Sequence, residues 1–268
     1  MSERFSRQSF LGERSQPAIE QAMIGVVGLG GGGGHVVQQL AHVGFLNYRL
    51  YDGDGADESN LNRLVIATEA DAEAQTPKTE LARRRILSVR STAKVELFPY
   101  RWQDRPEPLR GCDIVIGCVD GFAERRELEI ACRRYLVPFI DIGMDVHIVG
   151  DEPPRMGGQV ILSMPGGPCM SCLGFLNESN LAREAAKYGD AGIRPQVVWP
   201  NGVLASTAVG IAVDLITDWT QSLLGPVYLM YDGNANTLVP HPRLVYHNAS
   251  PCPHFPPAQV GLPTFKRL

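Results

Sequence analysis

Gly28, Gly30 and Gly33 stand in G-x-G-x-x-G spacing within "GVVGLGGGGGHVV" (25–37), after an apolar run and before a helix-like segment. Glycines at that spacing let backbone approach phosphate oxygens, and a helix N-terminus adds unpaired N–H groups. Asp52 closes the next strand-like segment, where an acid accepts from a ribose hydroxyl. A tight strand-to-helix packing turn would use the same glycines, but it has no need of the acid. The pair fits NAD or ATP equally. The following residues separate them: "YDGDGADESNLNR" (51–63) adds Asp54, Asn60 and Arg63. An NAD site does not require an Asn and an Arg just beyond its ribose acid, whereas a triphosphate offers oxygens to the forked guanidinium. Lys78 opens a helix in "TPK", and Asp120 ends a strand in "GCVDGF". One carboxylate there suits Mg²⁺, which takes few protein ligands and completes its shell with phosphate oxygens and water. Each residue alone also reads as a cap, a surface cation or a turn. Together and in this order they describe a site for Mg²⁺ and ATP.

The elements that must hold these residues alternate. Strands are predicted at 23–28, 47–52, 94–99, 113–118 and 138–143, and helices at 35–44, 78–90 and about 123–135. This β-α-β-α order predicts a parallel sheet with helices on both faces. The second half changes character. It predicts strands at 157–164 and 227–232, a polar crossing loop at 177–196 with at most one helical turn, a buried helix at 201–219, and a Pro-rich tail from 250 that wraps the surface. No linker divides the chain, so a single domain is expected over 1–268. Cys112, Cys118 and Cys132 fall in apolar or helical context and read as small core residues.

Bulk properties exclude several classes. The net charge of −4 argues against nucleic acid as a partner, and no apolar run approaches the roughly 18 residues that span a bilayer. The N-terminus "MSERFSRQSF" is charged and lacks an apolar signal core, so a cytoplasmic location is expected.

With these motifs in view, residues 4–255 resemble the ThiF/MoeB and ubiquitin-activating-enzyme adenylation domain. "RFSRQ" (4–8) matches its R-[YF]-x-R-Q, "GLGGGG" (28–33) its G-x-G-G-x-G and "DGDGADESNLNR" (52–63) its D-x-D-x-V-x-x-S-N-L-x-R, with Ala56 in place of valine. "PK" (77–78) matches the catalytic lysine, and "CVDG" (118–121) matches C-x-D-N with Gly121 in place of asparagine. The glycine loop is closer to bacterial members found with ubiquitin-like conjugation systems than to housekeeping sulfur-carrier enzymes. Gly32 and Gly34 are extra glycines relative to the family loop, which implies a roomier loop entrance.

The resemblance implies a Rossmann-like, mostly parallel sheet with an antiparallel extension in the second half and a zinc knuckle. The nucleotide-binding half would span about 4–150, the carrier-binding and zinc half about 151–255, and a tail 256–268. It also implies a reaction: the C-terminal glycine carboxylate of a ubiquitin-like or sulfur-carrier protein attacks the α-phosphate of ATP, giving an acyl-adenylate. Gly28, Gly30, Gly31 and Gly33 would cradle phosphate. Asp52 would hold the ribose, Asp54 would join the cofactor-binding set, Asn60 would bond phosphate or a neighbouring ligand, and Arg63 and Lys78 would neutralise charge. Asp120 would hold Mg²⁺. Arg7 would be donated across a homodimer. Arg125, one helical turn after Asp120, would join the nucleotide ligands, or else lie on a solvated helix face.

Cys169 and Cys172 form C-x-x-C on "GGPCMSC", and Cys252 lies in "SPCPHF". Where the family carries a fourth cysteine this chain has Phe255, so His254 is the expected fourth zinc ligand and His247 the fallback; a degenerate site is the competing reading. The crossing loop (173–198) holds no cysteine for a thioester. The acyl group would then stay as adenylate for a sulfur donor, pass directly to a conjugating enzyme, or form an oxyester at a hydroxyl such as Ser179. An inactive dimer scaffold, or adenylation of a small molecule, peptide or tRNA base, are the alternatives within the fold.

Overall fold

The computed structural model describes residues 3–147, 151–187, 195–221, 225–246 and 252–255. An eight-stranded sheet runs in the order β3-β2-β1-β4-β5-β6-β7-β8. Its strands are β1 (Met23–Val27), β2 (Asn47–Tyr51), β3 (Lys94–Phe98), β4 (Ile114–Gly117), β5 (Phe139–His147), β6 (Arg155–Ser163), β7 (Val227–Asp232) and β8 (Thr237–Pro240). Strands β1 to β5 pair parallel, and β6, β7 and β8 add antiparallel.

Side chains alternate across a strand, and the sequence is apolar at both parities, so both faces are covered. Ile24, Val26, Ile114, Ile116 and Ile140 share one core with α2 (Gly31–Val43), α4 (Lys78–Val89) and α7 (Val198–Thr217). Val27, Val115, Phe139 and Ile161 face the opposite core, against α5 (Phe122–Tyr135) and the 169–176 segment. Burying one such aliphatic side chain contributes about 1.5–3 kcal/mol, and it is this two-sided burial that makes the strand ends rigid supports for a site.

The structure departs from the expected boundaries in informative ways. Helix α2 begins at Gly31 rather than at residue 35, because its first turn is built from the glycines themselves. It ends at Gly44, whose φ of 120° only glycine adopts readily. The crossing segment is not a loop with one turn: α6 covers Glu178–Lys187, an amphipathic stretch whose polarity masked its period. The 3₁₀ run Glu3–Leu11, the short helices α1 (Ser15–Gln21) and α3 (Glu69–Glu73), and edge strand β8 had no predicted counterpart. Helix α7 is long and apolar enough to cross a membrane by composition, yet half of it is buried against α2 and β5, as a core helix is. Apart from 252–255, the tail expected to wrap the surface lies outside the described residues, as does His247.

Candidate active site

The strand order reverses beside β1, where β2 lies on one side and β4 on the other. Open α/β sheets bind ligands in the crevice at such a switch point, beyond the carboxyl ends of the strands. A cleft of about 500 Å³ opens there, lined by Gly28, Gly30, Gly31, Asp52, Asp54, Asn60, Arg63, Lys78, Asp120 and Arg125 among others.

Each glycine of the loop has its own reason. Gly28 takes φ 86°, and a Cβ there would lie 2.6 Å from the Cys118 carbonyl oxygen. At Gly33 it would lie 2.0 Å from the Gly28 oxygen, so the helix can pack onto the strand end only without it. Gly31 abuts the Asn201 amide at 2.6 Å, while nothing lies within 4 Å of a Cβ at Gly30. The open space at the N-terminus of α2 is therefore at Gly30. The extra glycines Gly32 and Gly34 sit inside the first turn of α2; Gly32 lines the cleft, where a Cβ would lie 3.1 Å from Ile142, whereas Gly34 is not among the lining residues. A methyl at Gly34 would make ordinary contact with Ile66 at 3.5 Å.

The acids are committed to the scaffold as well as the cleft. Asp52 accepts from the Leu29 N–H (2.6 Å) and the Asp54 N–H (2.9 Å), tying the end of β2 to the glycine loop. Burial raises its carboxyl pKa, opposed by Lys78 and these two N–H groups. Lys78, itself buried at the start of α4, pairs with Asp54 at 2.8 Å. Arg63 donates to the Ser59 carbonyl (2.8 Å) and to Asn62 Oδ1 (3.0 Å), which holds its stem beside Asn60 on the 3₁₀ turn Glu58–Asn60. Asp120, after β4, accepts from Gln196 Nε2 at 3.2 Å.

Arg125 is not on a solvated helix face. It is 6% exposed, and its Nη1 donates to Asp141 Oδ1 (2.6 Å) and to the Ile142 carbonyl (2.9 Å). Gln159 donates to the other Asp141 oxygen at 3.1 Å. Cys118, read as a core residue, is half-buried and lines the cleft, and burial pushes its thiol pKa up. Arg7 is exposed on the 3₁₀ run and does not line its own chain's cleft. Neither does Ser179, exposed on α6.

Several lining residues had no signal that drew notice. Tyr100, Arg101 and Trp102 directly follow β3, and strand-end logic applied there would have found them. Trp102 Nε1 donates to Glu124 at 3.2 Å, and burial raises the Glu124 pKa against the pull of Arg101. Gln196 and Asn201 reach the cleft by tertiary packing alone.

A second cluster lies away from the cleft. One donor atom from each of Cys169, Cys172, Cys252 and His254 falls within 4.8 Å of all the others. Cys172 Sγ is 3.6 Å from Cys169 Sγ and 3.5 Å from Cys252 Sγ. His254 Nδ1 is 3.4 Å from the first two sulfurs and 3.9 Å from Cys252. Two sulfurs bound at about 2.3 Å in a tetrahedral set lie about 3.8 Å apart, so the spacing fits four donors round one small ion. The fourth donor is the histidine that the sequence singled out, and Phe255 lies beside it with its ring over Arg133.

The ThiF family model matches residues 4–254. The chain belongs to the ThiF family. Its enzyme class follows: an ATP-dependent adenylyltransferase, which removes the NAD reading that the glycine motif alone permits. Among ThiF relatives, the SAMP-activating enzyme E1 of Haloferax volcanii is 28% identical over 257 residues, covering 94% of this chain and 87% of that protein. The molybdopterin-synthase adenylyltransferase of Salmonella typhimurium is 29% identical over 236 residues, covering 85% and 87%. Among solved structures, E. coli MccB with MccA-N7isoASN superposes with a TM-score of 0.73 at 20% identity, covering 94% of this chain and 74% of that one. PaaA gives 0.70 at 20% identity, covering 89% and 82%. At that identity the two structures speak for the shared fold.

Proposed function

We propose that this ThiF-family chain adenylates the C-terminal glycine carboxylate of a ubiquitin-like or sulfur-carrier protein. The observation that carries the reading is the cleft, where Asn60, Arg63, Lys78 and Asp120 surround the open N-terminus of α2 at Gly30. The names of the Haloferax and Salmonella relatives support a protein substrate of this kind.

In this reading phosphate oxygens lie on the N–H groups of Gly30 and Gly31, with Arg63 and Lys78 as counter-charges. The ribose sits toward Asp52 and Asp54. Asp52 oxygens already accept from the loop backbone, so it both shapes the loop and meets the sugar. A carboxylate oxygen of the carrier's terminal glycine attacks the α-phosphorus. The bond from that phosphorus to the bridging oxygen breaks, and pyrophosphate leaves with the electron pair. Both partners are anionic, so cationic residues that hold them in line lower the barrier most. Asp120 would hold Mg²⁺, which supplies further charge neutralisation when bound.

The partner subunit of a homodimer would supply Arg7, which is exposed and outside its own cleft. Zn²⁺ would take Cys169, Cys172, Cys252 and His254 in a structural role, because four protein ligands leave no open position. The adenylate would pass to a sulfur donor or a conjugating enzyme in the cytoplasm. Exchange of labelled pyrophosphate into ATP, assayed with a panel of ubiquitin-like proteins ending in glycine, tests the reading. Exchange should require one such carrier and fall about 10²–10³-fold in Asp120→Ala, as when one preorganised electrostatic group is lost. Exchange supported only by a short peptide or a small acid would move the substrate to those classes.

A further inference from the structure

Helix α5 carries two fully buried charged residues one turn apart, Glu129 and Arg133, each 1% exposed. Residues four apart on a helix share a face, and here that face meets the Cys/His cluster. Charges are buried only when their polar atoms are matched, so the partners reveal what the pair holds. Arg133 Nε donates to Ser163 Oγ (2.9 Å), Nη1 to the Gly167 carbonyl (2.9 Å) and Nη2 to the Pro168 carbonyl (2.6 Å). Glu129 accepts from the Met170 N–H (2.8 Å) and from Ser163 Oγ at 2.5 Å. Gly167, Pro168 and Met170 bracket Cys169 in the chain. The guanidinium carbon lies over the Phe255 ring, 5.3 Å from its centroid, and Phe255 follows His254 directly.

One arginine thus touches the chain beside both halves of a ligand set that are some 80 residues apart in sequence. We infer that Arg133, with Glu129, is the positioning group that assembles the Cys169–Cys172 turn against Cys252 and His254 before any metal binds. This rests on the zinc reading of that cluster. A lysine cannot replace Arg133, because only the planar fork reaches a hydroxyl and two carbonyls while offering a flat face to an aromatic ring. Phe255 takes the place of a ligand in the chain and acts as a clamp on that face.

The test uses the full chain, stripped of metal, with Zn²⁺ alone titrated against a chromophoric chelator and Co²⁺ as a spectroscopic probe. Groups that orient metal ligands are worth about 10–100-fold in affinity. Arg133→Lys and Glu129→Gln should therefore lose about that much Zn²⁺ affinity, with Co²⁺ spectra less intense or broadened, while nucleotide binding in the cleft, which neither residue lines, is retained. Ser163→Ala and Phe255→Leu are milder changes that keep the chain folded should the buried charge variants fail to fold, and they should lose severalfold. Unchanged Zn²⁺ affinity in folded variants overturns the positioning role and leaves the zinc assignment intact. Wild-type protein that takes up no Zn²⁺ overturns both.

Discussion

Lys78 is a buried cation of the cleft, and its pairing with Asp54 at 2.8 Å holds the ammonium at the cleft wall. Asp54 is largely exposed, so an arriving triphosphate can compete for the lysine without stranding a buried acid. Lys78→Met should lower pyrophosphate exchange about 10²–10³-fold with little loss of folding stability, measured by exchange and urea melts in parallel. The glycines divide just as sharply. Gly33→Ala must push a methyl into the Gly28 carbonyl and should abolish ATP binding in calorimetry. Gly34→Ala has room and should raise stability by about 0.5–1 kcal/mol, since alanine suits a helix interior better than glycine. Part of this scale was legible in the sequence: Gly28, Asp52, Arg63 and Asp120, chosen by residue type and spacing, line the same cleft. Arg125 was not legible in full. Its partner Asp141 lies on another strand, and a helical arginine after an acid reads equally as a surface residue until β5 is in place.

At the scale of elements, short pieces anchor the loops that carry the site. Helix α3 is capped by Thr68 and Asp71 in a reciprocal box, and Asp71 also receives two hydrogen bonds from Arg84 on α4. Arg84 and the Thr68 donors hold the Asp71 carboxyl well below the usual carboxylate range. A folded-state pKa below the unfolded value stabilises above the unfolded pKa, about 3.9, and that contribution disappears as pH falls through the folded one. Asp71→Asn should therefore destabilise the protein at pH 7, and the gap to wild type in urea melts should narrow below about pH 4. The parallel strands and the helices between them were legible from period and punctuation. Helix α6 was not, because a polar amphipathic stretch between two loops resembles loop; β8 was not, because a four-residue edge strand gains its identity only from pairing with β7.

For the whole molecule, Arg7 bears on whether the active unit is one chain or two. Arg7 stands clear of the cleft its motif is expected to serve. If it acts across a homodimer, Arg7→Ala and Asp120→Ala, each inactive alone, should complement when mixed and re-equilibrated. Random pairing gives heterodimers with one intact site in half of the dimers, so roughly a quarter of wild-type exchange should return. No recovery in a mixture shown to exchange subunits would rule out donation of Arg7 across a dimer. One product decides whether this chain adenylates a carrier protein. Intact-mass analysis of a glycine-terminated ubiquitin-like carrier, incubated with this protein and ATP and quenched in acid, should show the carrier gaining one AMP, and a carrier lacking its last glycine should gain none. AMP gained equally by the truncated carrier, or by a free peptide while every intact carrier stays unmodified, would show that the carrier's terminal glycine is not the substrate.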